Sequence, residues 1–262
     1  PADPRSVASF FNDQLCTCSY ATIRRRASAI RFAHVLSNLP CPISHSDVFL
    51  SMRRAARLKG RRPQQVLGLT RPLLDKLLTA CPDTLAGARD AALLSVGYDT
   101  LCRSSELSWM RVGDVRIEQS RIYIPRAKND PFGDGRFARL PPSTQEHVSR
   151  WLALSRLEYG ALFRGLHTGS VSKRNLDTSS IRRIVKAAAR RAGLKEEALK
   201  LSGHSLRIGA AQDLMNKGLS TLAIMTAGGW KTSDVVARYV ERRDPDGFIL
   251  DAKLTRWMKQ DA

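Results

Sequence analysis

Seven side chains in this sequence are of types that stabilise charge or transfer protons at a phosphate. They are Arg103, Glu106, Lys128, His204, Arg207, Trp230 and Tyr239. Arg103 and Glu106 stand three residues apart, and so do His204 and Arg207, a spacing that places each pair on one turn of a helix. Two guanidinium groups suit one phosphate because their planar forks of donors match its oxygens. The spacing therefore predicts a phosphate-binding site built from separate parts of the chain.

The order of these residues resembles that of the tyrosine recombinases, the phage integrase family. The resemblance rests on Arg103 with Glu106, Lys128 in a predicted hairpin, the H-x-x-R pattern of His204 and Arg207, then Trp230, and Tyr239 nine residues later. Most members carry a second histidine where this chain has tryptophan, whereas one subset carries tryptophan, and the surrounding AGGW matches that subset. The likeness is good from about Leu69 to Asp246 and looser in the N-terminal helices.

The resemblance implies an enzyme that cleaves and rejoins DNA strands with Tyr239 as the nucleophile. A phenol has an unperturbed pKa of roughly 10, so it attacks phosphorus only when its neighbours remove the proton and polarise the target. His204 is the expected partner for that proton, since its unperturbed pKa of roughly 6.5 lies nearest to neutrality. Glu106 would orient His204 or Arg103, and the family resemblance implies Lys128 as the general acid for the departing 5′ oxygen.

Arg103 and Arg207 would bind the two non-bridging oxygens, where charge accumulates during attack, and Trp230 would add a neutral donor. Taken singly, each of these side chains is more often structural, but the ordered set favours catalysis. The 3′-phosphotyrosyl link that the family forms keeps the energy of the phosphodiester, so neither a cofactor nor a metal is expected. The sequence contains no phosphate-loop motif and no Cys/His metal framework.

The charge balance points to a polyanionic partner. Lys and Arg outnumber Asp and Glu by 43 to 24, a formal net charge of +19, which makes double-stranded DNA the expected partner and a passive basic surface the alternative. No apolar run approaches the roughly eighteen residues of a membrane helix, so no membrane partner is expected. Five cysteines and no leader pattern indicate reduced thiols in the cytoplasm, and the resemblance implies a bacterial or phage source.

The hydrophobic pattern predicts a mainly α-helical protein with a small antiparallel β-sheet, in two domains that clamp duplex DNA. Strand patterns occur near residues 115–119, 121–128 and 136–140, and almost everything from Ser143 onward predicts helix. A basic stretch interrupted by glycine and proline between Leu58 and Thr70 marks the boundary. The expected domains are residues 1–66, helical and DNA-binding, and residues 67–262, catalytic.

Three rows of basic side chains lie away from the apolar stripes of predicted helices and are candidates for binding the DNA backbone. They are Arg24, Arg25 and Arg31, then Arg53, Arg54 and Arg57, then Arg182, Lys186 and Arg190. Any one row could be an ordinary solvated surface. The repetition favours phosphate binding.

The tail has a predicted helix at 247–259 with Leu250, Leu254 and Trp257 on one stripe. It could cover its own domain. The resemblance implies instead that the helix is donated to a neighbouring protomer, which would build a tetramer on two DNA sites that exchanges strands through a Holliday junction.

The sequence argues against two other functions. A type IB topoisomerase uses the same chemistry but relaxes supercoils without joining two sites, and the short length and the tail predicted to be donated argue against it. A purely architectural DNA binder would lack one of Arg103, Lys128, His204, Arg207 or Tyr239, and all five are present.

Overall fold

The computed structural model describes residues 1–60, 65–125, 135–167 and 169–240. By its internal contacts the chain divides into two compact units, Pro1–Gln65 and Val66–Ala262. The predicted general acid Lys128 and the predicted helix at 247–259 lie outside the described residues. The roles predicted for the two domains are not tested by this division and remain predictions.

The first unit is helical. Its described residues form α1 (Pro4–Asp13), α2 (Tyr20–Leu36) and α3 (Ser46–Lys59), with a short 3-10 turn at Pro42–Ser44. α1 and α2 begin where Asp3 and Ser19 accept hydrogen bonds from the backbone N–H groups three residues on. The apolar faces of α1, α2 and α3 bury Phe11, Ile23 and Val48, respectively, in a small core.

The second unit contains most of the helices. These are α4 (Arg71–Thr79), α5 (Leu85–Asp99), α6 (Ser104–Trp109), α7 (Pro142–Ser155), α8 (Thr178–Arg191), α9 (Lys195–Lys200), α10 (Ser205–Asn216), α11 (Thr221–Gly228) and α12 (Ser233–Val240). In the portion of the chain that the structure describes, no helix combines the length and apolar character that crossing a membrane requires.

α5 lies between two apolar clusters, and none of its residues is exposed. Leu94 and Tyr98 pack in the cluster formed with α4, α8 and α10. Leu93 and Val96 pack in the cluster that reaches the sheet and α7. A helix buried on both sides loses amphipathic periodicity, because every face meets apolar side chains. α5 thus supports the elements that carry the candidate site at its C-terminal end.

A three-stranded antiparallel sheet follows α6. Its strands are β1 (Val115–Arg116), β2 (Arg121–Ile124) and β3 (Arg136–Arg139), in the order β1-β2-β3. The mainly helical class with a small antiparallel sheet is confirmed. The first predicted strand was too long, because Ile117–Gln119 forms a 3-10 turn that ends at Ser120 with φ 49°. The predicted extension of the second strand to residue 128 falls largely outside the described residues.

The expectation that almost everything after Ser143 is helical was wrong. A hairpin of β4 (Arg164–His167) and β5 (Ser170–Asn175) interrupts the helices, turning through Gly169 at φ 80°. Its strands are mostly polar and incompletely buried, so they lack the apolar alternation from which a strand is recognised. The remaining sign of the hairpin in the sequence was Gly169, because glycine favours tight turns.

Candidate active site

The first part of the candidate site is the N-terminus of α6. Arg103 directly precedes this helix, and Glu106 lies in its first turn. One Glu106 oxygen accepts a hydrogen bond from the Arg103 backbone N–H at 3.0 Å, and the other accepts one from Arg103 Nη1 at 2.7 Å. The Glu106 side chain is only 2% exposed. A carboxylate so deeply buried requires charged partners, so Glu106 fixes the Arg103 guanidinium.

The second part is the N-terminus of α10, which places Arg207 inside the protein with 0% exposure. Arg207 Nη2 donates to the Gly228 carbonyl at 2.8 Å, and Nη1 donates to the Leu101 carbonyl. Its guanidinium carbon lies 4.1 Å from the Trp230 ring centroid, so the electron-rich ring face also stabilises the charge. Burial, with a smaller effect of Arg103, lowers the pKa of Arg207 to about 10. The group therefore remains a cation at neutral pH.

Two turns with left-handed backbone supply the carbonyls that hold Arg207. Leu101 has φ 51°, a conformation that is costly for a residue with a bulky side chain. Gly229 ends α11 with φ 64°, where glycine adopts the conformation without strain. Arg207 thus joins the turn before Arg103 to the turn before Trp230.

His204 and Tyr239 meet across the site. His204 Nε2 lies 2.7 Å from the Tyr239 hydroxyl oxygen. Burial, then the positive charges of Arg207 and Arg103, lower the pKa of His204 to about 4, with Glu106 acting in the opposite direction. The imidazole is therefore neutral at pH 7 and can accept the phenol proton at Nε2. Gln212 Nε2 donates to the Tyr239 carbonyl at 3.0 Å, which ties α12 to α10.

Two buried donors of the site have no hydrogen-bond partner among the described residues. They are Arg207 Nε and Trp230 Nε1. The ring centroids of Trp230 and Tyr239 are 5.6 Å apart, so the indole borders the phenol. Buried polar groups in folded proteins are almost always paired. Two unpaired donors beside a phenol therefore indicate that the site is built to receive acceptor oxygens.

Sequence reasoning missed Arg136, a third guanidinium at this site. Arg136 begins β3, and its Nη2 lies 3.7 Å from a Glu106 oxygen. With Arg103 and Arg207, it surrounds a single carboxylate, so positive charge dominates the described part of the site. The signal was the alternation of the strand RFAR, in which Arg136 shares the more buried face with Ala138 while Phe137 is exposed. A guanidinium on the more buried face of a strand needs hydrogen-bond acceptors or negative charges within the protein.

The model of the phage integrase family matches residues 69–245. The chain belongs to the phage integrase family. It is 30% identical over 267 aligned positions to the recombinase cre of Escherichia phage P1, an alignment that covers 94% of this chain and 78% of the phage protein. It is 28% identical over 257 positions to an integrase/recombinase xerD homolog of Selenomonas ruminantium, covering 92% of this chain and 74% of that protein. The resemblance drawn from the residues is thereby confirmed.

Two solved structures with DNA share the phage integrase fold of this chain. The Tn1549 transposon integrase in complex with circular intermediate DNA has a TM-score of 0.68 at 14% identity, covering 94% of this chain and 83% of that one. The XerH recombinase bound to a palindromic difH substrate has a TM-score of 0.67 at 18% identity, covering 98% and 73%. At these identities, the likeness establishes the fold alone.

In this chain, six of the seven predicted catalytic side chains lie in or beside one site. They are Arg103, Glu106, His204, Arg207, Trp230 and Tyr239. The seventh, Lys128, falls outside the described residues. Among those that are described, no group of three or more His, Cys, Asp or Glu residues could hold a metal ion.

Most of the predicted DNA-binding residues have exposed side chains. Arg24, Arg25, Arg31, Arg53, Arg54 and Arg57 are exposed on α2 and α3, and Arg182 and Arg190 are exposed on α8. Lys186 differs, because it is partly buried and its Nζ donates to the Leu199 carbonyl at 3.1 Å. Its ammonium is thus partly engaged by the backbone near the end of α9. Whether any of these residues binds DNA stays a prediction.

Proposed function

We propose that this protein is a site-specific DNA recombinase that cleaves and rejoins strands through a 3′-phosphotyrosyl intermediate on Tyr239. The observation that carries the proposal is the 2.7 Å contact between His204 Nε2 and the Tyr239 hydroxyl, beside Arg207 and the unpaired indole N–H of Trp230. A nucleophile, a proton acceptor and donors for oxygens meet there. Membership in a family of DNA-strand-exchange enzymes gives the substrate class.

In the proposed reaction, the scissile phosphate binds between Arg103 and Arg207. Their guanidinium groups and Trp230 Nε1 donate to the non-bridging oxygens, whose negative charge grows in the transition state. Glu106 holds Arg103 at 2.7 Å and limits its freedom, so less ordering is required when the phosphate binds. The carbonyls that bind Arg207 hold it in the same way.

The proton and the bonds balance without a cofactor or a metal. Tyr239 transfers its hydroxyl proton to His204 Nε2 as its oxygen forms a bond to phosphorus. The bond from phosphorus to the 5′ oxygen breaks, and we assign the proton for that oxygen to Lys128 on the family resemblance. The products are a 3′-phosphotyrosyl link and a 5′ hydroxyl. A 5′ hydroxyl from the second DNA site then attacks the link, which restores a phosphodiester and frees Tyr239.

Duplex DNA is the proposed partner of both units. The net charge of +19 attracts the phosphate backbone. We assign residues 1–66 as a helical DNA-binding domain and residues 67–262 as the catalytic domain. The solved relatives with bound DNA support a DNA partner. Because the curated relatives come from a phage and a bacterium, we place the reaction in the cytoplasm.

We further propose that four protomers assemble on two sites and exchange strands through a Holliday junction, with residues 247–259 donated to a neighbour. The apolar stripe of Leu250, Leu254 and Trp257 supports this role. Deleting residues 247–262 should leave binding to a single site intact and abolish recombination between two sites. Full recombination by the truncated chain would contradict the donation.

The test of function is a plasmid that carries two copies of the site, found first by locating covalent adducts on DNA fragments that flank the gene. We expect wild-type protein to delete or invert the segment between the copies, as measured by restriction mapping. A plasmid with one copy is the control for topoisomerase activity. Relaxation of supercoils on both plasmids without exchange would contradict recombination and identify a type IB topoisomerase.

A further inference from the structure

Arg136 and Arg207 bridge the same two backbone segments side by side. Arg136 Nη2 donates to the Thr100 carbonyl at 2.8 Å, and its Nη1 donates to the Ala227 carbonyl at 2.9 Å. Arg207 donates to the carbonyls of the next residue in each segment, Leu101 and Gly228. Two adjacent carbonyls at each turn therefore hold two guanidinium groups that come from β3 and α10.

The two bridged segments carry residues of the site. The 100–101 segment leads into Arg103, and the 227–228 segment leads into Trp230. A side chain at Gly229 would place its Cβ 3.4 Å from Cδ and Nε of Arg136, so the arginine packs closely on this turn. The Arg136 side chain is 16% exposed and also lies 3.7 Å from Glu106, which holds Arg103. Arg136 thus contacts both sides of the phosphate-binding arrangement without pairing with Tyr239.

We propose that Arg136 is a positioning residue for strand cleavage, setting the separation between the Arg103 turn and the Trp230 turn. The planar guanidinium spans two carbonyls at once, whereas the single ammonium of lysine donates from one point and cannot reproduce this fork. Arg207 is expected to contact substrate and Arg136 to act through the backbone. This inference rests on the proposed function.

The first test separates binding from cleavage. Adduct formation is measured under single-turnover conditions on a duplex carrying the site mapped with wild-type protein, for Arg136→Gln, Arg136→Lys and the control Arg139→Gln. Arg139 lies on the same strand with an exposed side chain. Arg139→Gln therefore removes one positive charge, as Arg136→Gln does, but leaves the hydrogen bonds from Arg136 to the two carbonyls in place. We expect Arg136→Gln to lower the cleavage rate roughly ten- to hundredfold with DNA affinity within about twofold of wild type. Arg136→Lys should recover part of the rate, and Arg139→Gln should match wild type.

Cleavage by Arg136→Gln at the wild-type rate would overturn the inference. Loss of binding and cleavage in equal proportion, or an equal loss in Arg139→Gln, would also overturn it, since either result assigns Arg136 only a charge or stability effect. Thermal unfolding of each variant identifies any that fail to fold. In that case, Arg136→Lys carries the test.

The second test needs no DNA. Hydrogen exchange followed by mass spectrometry should show faster exchange in Arg136→Gln for peptides covering residues 100–106 and 227–231, with the middle of α5 unchanged. Unchanged exchange in the two segments would overturn the inference whatever the DNA chemistry. Absence of adducts with wild-type protein on every fragment would instead overturn the proposed function, and faster exchange would then still support the bridge.

Discussion

Arginines of the candidate site and arginines of α2 and α3 carry the same charge in opposite settings. Arg207 is fully buried and donates to two carbonyls, and Arg136 is nearly as constrained. Arg24, Arg25 and Arg31 are exposed along α2. Burying a cation is costly unless dipoles or charges compensate it, so the buried arginines require a built environment that the exposed ones do not.

This difference in burial indicates what the buried arginines and the exposed arginines can each contribute to binding and cleavage of DNA. A guanidinium fixed by carbonyls has a defined position, so it can match the charge distribution of one transition state. A guanidinium on a long exposed side chain has no fixed position, so it contributes attraction to any phosphate backbone. Substitutions in the first group should change the rate of cleavage on bound DNA. Substitutions in the second group should change affinity and its salt dependence.

The largest effect is expected for Tyr239→Phe, which removes only the hydroxyl. Without the oxygen that faces His204 Nε2 at 2.7 Å, no phosphotyrosyl bond can form. We expect no SDS-stable DNA adduct and DNA affinity within about twofold of wild type in a gel-shift titration. An adduct formed by this variant would remove Tyr239 from the mechanism.

Arg207→Ala should reduce the rate of adduct formation by about a hundredfold or more, because it removes a donor to the transition state. The matched control is Arg150→Ala, which removes an exposed arginine that pairs with Asp83 in the same unit. Arg150→Ala should cleave at the wild-type rate. Equal cleavage rates for the two variants would mean that Arg207 only balances charge. Chemical unfolding would report any stability that Arg207→Ala loses because the carbonyls that bind Arg207 no longer have this donor.

Replacing Arg24, Arg25 and Arg31 together with glutamine should weaken DNA binding by about tenfold and leave the cleavage rate on saturated DNA unchanged. The slope of log affinity against log salt should become shallower by about 0.9 for each phosphate that these arginines neutralise in the wild-type complex. Arg5→Gln, an exposed substitution in the same unit, is the control. An unchanged salt slope would mean that these three arginines belong to an ordinary solvated surface and do not bind DNA phosphates.

The smallest expected effect is on the pH dependence of stability. His204 has a folded pKa of about 4 against about 6.5 unfolded, so between these values the unfolded chain binds more protons. The contribution of neutral, buried His204 to the free energy of unfolding is therefore fully present above pH 6.5. It is lost as pH falls towards 4, by at most about 1.4 kcal/mol per pH unit. His204→Asn should lose stability less steeply than wild type between pH 6.5 and 5. The free energy of unfolding is measured at each pH by urea unfolding. If it fell equally steeply with pH in His204→Asn and in wild type, a neutral, buried His204 would be contradicted.

The sequence sufficed to select six side chains that the structure brings together at the candidate site, because their types and spacing are visible in the sequence. Arg103 with Glu106, and His204 with Arg207, are recognisable from a three-residue interval. Arg136 is different, because its partners are the backbone carbonyls of Thr100 and Ala227, and a carbonyl has no residue type to recognise. Only the fold brings those carbonyls together.

Fold prediction had the same limit. The helix that carries Arg182, Lys186 and Arg190 was predicted because apolar residues recur along it at helical spacing, and the structure forms it as α8. The β4–β5 hairpin was missed because its exposed polar strands satisfy backbone hydrogen bonds without burying an apolar face. The lowered pKa of His204 also could not be read from the motif, since it depends first on burial.

The most direct test of the central claim is to identify the residue that carries the DNA. Adducts formed on the mapped site are trimmed with nuclease and digested with trypsin, which cuts after Arg238 and releases a peptide beginning at Tyr239. We expect mass spectrometry to find the nucleotide remnant on Tyr239, linked through a 3′ phosphate. A remnant on another residue, or a 5′ linkage, would contradict the account.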